Sequence, residues 1–167
     1  MTWISGSNNI TTETELYSKI KNHIKNKGKI AVGTDSMIVN RRFVFVTAVC
    51  LVEGDELSFK GRYFYKRKII KDEKMKDISY RIFKETSDSI EIAESLNKVL
   101  EDQSKIEIHL DVNSCKKHLS NKYESSVSGY VNGCGYTSKI KPYSFAASAV
   151  ADWHTRPNRS YVKKICP

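Results

Sequence analysis

Lys29-Ile30-Ala31-Val32-Gly33-Thr34-Asp35-Ser36 is an apolar run that stops at an aspartate, and Lys105-Ile106-Glu107-Ile108-His109-Leu110-Asp111-Val112-Asn113 is an alternating run that does the same. Both read as β-strands with the carboxylate at the C-terminal end. Open α/β sheets carry their chemistry in the crevice outside those ends, so two adjacent parallel strands would bring Asp35 and Asp111 together. Carboxylates that close raise each other's pKa, and a divalent cation removes the conflict. The two segments therefore predict an α/β sheet with a metal site at its carboxyl edge.

Working outward, Arg42 to Val52 is dense in β-branched and aromatic residues, Glu53-Gly54-Asp55-Glu56 breaks it, and Leu57 to Arg67 returns. With a turn over Ser36 to Asn40, these make three antiparallel strands. From Asp72 to Glu101 there is neither Gly nor Pro, and Ile78, Ile82, Thr86, Ser89, Ala93, Leu96 and Leu100 recur at helical spacing, predicting one long helix. Upstream, Thr12-Glu13-Thr14-Glu15 has capping-box spacing ahead of Leu16, Ile20 and Ile24, and Gly28 stops that helix. Downstream, a weaker helix through Tyr123, Val127 and Val131 closes at Gly133 and Gly135. Tyr136 to Lys141 is a fifth strand, and Pro142 starts an Ala/Ser-rich helix over Tyr143 to Trp153. The order β-β-β-α-β-α-β-α with a right-handed crossover is the ribonuclease H topology. The expected fold is α/β, a mixed five-stranded sheet of three antiparallel and two parallel crossover strands, flanked by helices.

The 167 residues suit a single domain over 1–167, with 1–28 as an N-terminal helical extension and 156–167 as a basic tail. No apolar run approaches the ~20 residues needed to cross a bilayer. Met1 to Asn9 has neither a basic n-region nor an apolar h-region, so the expected compartment is the cytoplasm. Cys50, Cys115, Cys134 and Cys166 show no paired spacing, which argues for free thiols rather than zinc, and Cys50 reads as core.

A net charge of +9 points to a polyanionic partner, because Lys and Arg neutralise phosphates and release counterions. The basic residues crowd Lys60 to Lys76, interleaved with Tyr63, Phe64 and Tyr65, and gather again after Arg156. Arg62, Lys66, Arg67, Lys68, Lys141 and Arg156 are the candidate phosphate contacts. A solvated lysine-rich face is the competing reading of the same charge.

Two further acids complete a candidate centre. On a helix, Glu85 lies roughly 70° from the centre of the apolar stripe and Glu91 nearly opposite it, so Glu85 is the acid expected to face the sheet, with Glu91 in reserve. Asp152, near the C-terminus, is the fourth. Asp35, Glu85, Asp111 and Asp152 supply the oxygen ligands that Mg²⁺ or Mn²⁺ prefer. Two such ions about 4 Å apart activate a water and stabilise the leaving 3′ oxygen in phosphodiester hydrolysis. In that scheme Asp35 bridges both ions, Asp111 and Glu85 complete either site, and Asp152 binds the second. His154 is positioned to assist proton transfer, although a packed histidine reads equally well; His109, opposite in facing to Ile108 and Leu110, reads as structural.

The chain resembles the ribonuclease H-like YkuK family. The resemblance is carried by Gly33-Thr34-Asp35-Ser36, Gly61-Arg62-Tyr63-Phe64-Tyr65, Glu85 with Ser89-Ile90-Glu91-Ile92-Ala93, and Ile106 to Asp111. The most specific segment is Lys139-Ile140-Lys141-Pro142-Tyr143-Ser144-Phe145-Ala146-Ala147-Ser148-Ala149-Val150-Ala151-Asp152-Trp153-His154-Thr155. The resemblance implies a ribonuclease H-like fold and nuclease activity but no particular substrate; with the acids and the charge, the expected function is a metal-dependent nuclease acting on RNA, RNA–DNA hybrid or structured DNA. Val112-Asn113-Ser114-Cys115 departs from the family, which usually runs into a Gly-bearing loop there. A non-catalytic nucleic-acid-binding module on the same fold is the rival function, and a protein-interaction scaffold with incidental basicity is the third.

Overall fold

The Asp35 segment lies at the middle of a mixed sheet. The computed structural model describes residues 2–53, 61–115 and 117–156. Its strands are β1 Trp3–Ser5, β2 Ile10–Thr11, β3 Lys29–Val39, β4 Arg42–Val52, β5 Tyr63–Ile70, β6 Ile106–Asn113 and β7 Thr137–Lys141, in the order β2-β1-β5-β4-β3-β6-β7. The expected antiparallel trio and the two parallel crossover strands are present. Among the described residues the sheet has seven strands rather than five, because β1 and β2 extend it beyond β5. At three and two residues they are too short to show a period of two.

Strand β3 does not end at Asp35. It runs on to Val39 and pairs with β4 over its whole length, Asp35 opposite Val46, and only Asn40 and Arg41 make the turn. Both take positive φ, 49° and 61°, the backbone of a two-residue hairpin matched to strand twist. Asp35 marks a different boundary: parallel pairing between β3 and β6 stops at Gly33 with His109. The carboxyl edge of the parallel ladder is thus where the sequence placed it, although the strand continues.

The helices are α1 Glu13–Lys25, α2 Ile78–Leu100, α3 Glu124–Gly133 and α4 Asp152–Thr155. The predicted capping box forms at α1: Glu15 N–H donates to the Thr12 hydroxyl oxygen at 3.2 Å and Thr12 N–H to Glu15 Oε2 at 2.9 Å. Helix α2 begins at Ile78 rather than Asp72, because Asp77 Oδ1 accepts from the Ser79 N–H at 2.7 Å and caps it there; a 3₁₀ turn, Glu73–Lys76, precedes it. The predicted strand from Leu57 appears from Tyr63: residues 57–60 lie outside the described residues, as does the tail beyond Arg156, and Gly61 and Arg62 precede the strand.

Alternation along the strands sorts the core into two layers. Ile30, Val32, Val49, Ile106, Ile108 and Leu110 pack with Leu16 and Ile20 of α1, Leu96 of α2 and Val131 of α3. Ala31, Val46, Ala48, Cys50 and Tyr65 pack on the other face against Ala146 and Ala151. Those alanines belong to a π-helix, Ala146–Ala151, where an uninterrupted α-helix from Tyr143 is predicted. Small residues bring its backbone onto β3: a Cβ at Gly33 would stand 2.4 Å from the Ala147 nitrogen. His109 fixes its start, Nδ1 accepting from the Ala146 N–H at 3.2 Å with the ring edge-on to Phe145. His109 is structural, as expected.

Candidate active site

Four elements deliver the four acids to one place. Gly33 and His109 are the last parallel pair, and Asp35 and Asp111 lie two residues beyond them, so both point to the π-helix face from neighbouring strands about 4.8 Å apart. Asp152 follows the π-helix as the first residue of α4. The wider π turn makes it the opening residue of a new α turn rather than a late position on a continuous helix. The Thr155 hydroxyl, one turn on, donates to Asp35 Oδ2 at 3.4 Å and ties α4 to β3.

Glu85 arrives from the opposite face, on α2. The Ser36 hydroxyl donates to its Oε1 at 2.5 Å, and the Ser89 hydroxyl, one turn along, donates to Thr34 Oγ1 at 2.8 Å. Where β3 and β6 stop pairing the faces meet, and Glu85, Asp111, Thr34 and His109 line one small hollow. Glu91 is exposed and its charge acts on Lys66 of β5, so α2 presents Glu85 and not Glu91 to the aspartates.

The electrostatics record this convergence. Burial pushes the Asp35 carboxyl up to about 7, and the charges of Asp111 and Asp152 add to the shift; the Ser36 backbone N–H and the Thr155 hydroxyl act against it. Glu85 is raised well above the ordinary range, first by burial and then by Asp35; the Ser36 hydroxyl opposes the shift and Asp111 adds to it. Part of the Glu85 side chain touches solvent, but its carboxyl is surrounded by protein. Like charges thus make Asp35 and Glu85 harder to ionise.

Two cations already touch the cluster. Lys141 Nζ lies 2.6 Å from Asp111 Oδ1, and Arg156 Nη2 lies 2.5 Å from Asp152 Oδ2. Asp111 Oδ1 is nevertheless buried without a directed hydrogen bond, so the lysine contact is charge proximity rather than aligned donation. Among the described residues, no three of His, Cys, Asp and Glu stand close enough to hold a metal ion as they are. The donor types are those a hard divalent cation takes: four carboxylates, two of them with raised proton affinity, with Asp111 Oδ1 buried and lacking a hydrogen bond.

The other candidates are dispersed by strand alternation. Lys66 faces α2, half-buried among the charges of Glu91 and Asp88 and over the Trp3 ring at 5.5 Å, and Lys68 shares its side. Arg67, opposite Val46, shares the face of Asp35. Arg62 lies at the far end of the sheet, paired with Glu53. His154 leans toward β5, stacked on Tyr65 at 3.7 Å between centroids, its Nε2 3.1 Å from the Tyr63 hydroxyl. Ser36 and Thr155, which hold Glu85 and Asp35, had no assigned role in the sequence; adjacency to Asp35 and the three-residue spacing from Asp152 were the available signals.

A mixed sheet with an aspartate just past the end of parallel pairing on each of its two central parallel strands, met by acids from a helix on each face, defines the ribonuclease H-like class. The sequence profile of the Ribonuclease H-like family matches residues 12–156, and the chain belongs to that family. No curated protein and no solved structure matches the chain.

Proposed function

We propose that this protein is a divalent-metal-dependent nuclease that hydrolyses phosphodiester bonds in RNA, RNA–DNA hybrid or structured DNA. The observation that carries the reading is the approach of Asp35, Glu85, Asp111 and Asp152 from four elements at the end of the parallel ladder, where the charges of Asp111 and Asp152 act on Asp35 and those of Asp35 and Asp111 act on Glu85. These four would hold Mg²⁺ or Mn²⁺, two ions in the full scheme, whose chemistry is to activate a water and to stabilise the leaving oxygen. Asp35 sits centrally, coupled to both neighbouring aspartates and oriented by Thr155. Ser36 orients Glu85 through its hydroxyl. The π-helix packs closely on the Asp35 face of β3 at Gly33. The net charge of +9 supports a polyanionic substrate, and Arg67, Lys141 and Arg156 are the candidate cations nearest the acids in the fold.

One observation favours a second reading, a nucleic-acid-binding module without catalysis: Lys141 and Arg156 already neutralise two of the four acids. Cleavage of a panel of single-stranded RNA, RNA–DNA hybrid and branched DNA, with Mn²⁺ or Mg²⁺ and with EDTA, separates the two. The nuclease cuts only with metal, and Asp35→Asn and Asp111→Asn abolish cutting while binding persists. Binding to the panel without metal-dependent cutting by wild type would establish the module instead.

A further inference from the structure

We infer that Lys141 is the internal counter-ion of this centre, and that its ammonium competes with a divalent cation for Asp111 and so sets how tightly metal binds. The inference rests on the metal-dependent reading above. Lys141 is the last residue of β7, and its backbone pairs with Asn113, two residues beyond Asp111. The register between β6 and β7 slips between His109 and Asn113, the kind of irregularity that re-aims a side chain, and Lys141 comes back over Asp111. Nζ stands 2.6 Å from Oδ1.

The two occupants exclude each other. Magnesium binds carboxylate oxygen at about 2.0–2.1 Å, and a second positive charge on that oxygen repels it strongly. Any cation using Oδ1 must therefore displace Lys141. The pair is built to open: the lysine side chain is 37% exposed, so its ammonium can swing on a flexible stem into water. Oδ1 makes no directed hydrogen bond, so nothing else holds it against a new ligand. The Arg156 pair differs, because Asp152 and Arg156 are one turn apart and such a contact needs no site to form. Lys141 reaches Asp111 from another strand.

Calorimetric titration of Mn²⁺ into the full chain at low salt, without nucleic acid, tests this in wild type, Lys141→Gln and Lys141→Arg, with circular dichroism checking each fold. Lys141→Gln is expected to bind Mn²⁺ roughly tenfold more tightly, the gap shrinking as salt screens the charge, and Lys141→Arg to stay near wild type. If the glutamine variant fails to fold, Lys141→Met preserves the apolar stem and carries the same expectation. Wild type that binds Mn²⁺ beside a folded Gln or Met variant that binds no more tightly overturns the counter-ion role alone. If no form binds Mn²⁺, the metal-dependent reading falls with it.

Discussion

Asp35→Asn should make the metal-free protein more stable, although it removes the central acid of the site. The Asp35 carboxyl is pushed from 3.8 up to about 7 by burial, Asp111 and Asp152. A folded-state pKa above the unfolded one means that the native state holds the proton more tightly, so stability falls as pH rises from about 4 to about 7. Linkage with these two values gives a loss of about 2 kcal/mol at pH 5 and about 4 kcal/mol at pH 8. Asparagine keeps the shape and an oxygen for the Thr155 hydroxyl while removing the charge. Urea unfolding followed by circular dichroism in EDTA, at pH ~5 and ~8, should therefore show the variant gaining on wild type by about 2 kcal/mol between the two conditions. Saturating Mn²⁺ should reverse the order, since only wild type keeps the full ligand set. A gap that does not change with pH, or a variant less stable at pH 8 in EDTA, would refute the claim that Asp35 is buried among like charges.

The same cluster makes other outcomes measurable. Mn²⁺ binding near pH 7 should release protons held by Asp35 and Glu85, so its calorimetric enthalpy should vary with the ionisation enthalpy of the buffer; equal heats in phosphate and Tris would contradict this. Ser36→Ala removes the hydroxyl that favours ionised Glu85, so Mn²⁺ affinity should fall and its pH dependence move upward, and an unshifted midpoint would remove Ser36 from the site. Gly33→Ala drives a methyl into the backbone at Ala147, which cannot turn aside as a side chain would, and should cost about 3 kcal/mol in urea unfolding. Lys66→Met should alter stability but leave the salt dependence of nucleic-acid binding as in wild type, because Lys66 is engaged with the α2 face; a slope reduced by about one would return it to the phosphate contacts.

Much of the centre could be read from local pattern. The apolar run before Asp35 and the alternating run before Asp111 determine strand character, the first apolar on both faces of the sheet and the second on one. The capping box determines where α1 starts, and the stripe through Ile82, Thr86, Ser89, Ala93 and Leu96 determines which face of α2 is buried, and with it Glu85. These are signals of a few residues, set by the periods of strand and helix.

What the sequence could not reveal lay in register and in contacts between distant segments. That Asp35 lies just past the end of a parallel ladder rather than at the end of a strand depends on β6, more than 70 residues away along the chain. Which lysines share its face depends on the pairing of β5 with β4, because one step along a strand moves a side chain to the other side of the sheet. The π-helix follows from close packing at Gly33, and the Lys141 contact from a slip between β6 and β7. Sequence by itself determined which carboxylates were available and on what elements they would ride. Only the tertiary structure decided that they converge and which cations hold them, because electrostatic energy depends on separation in space and local periodicity carries no record of it.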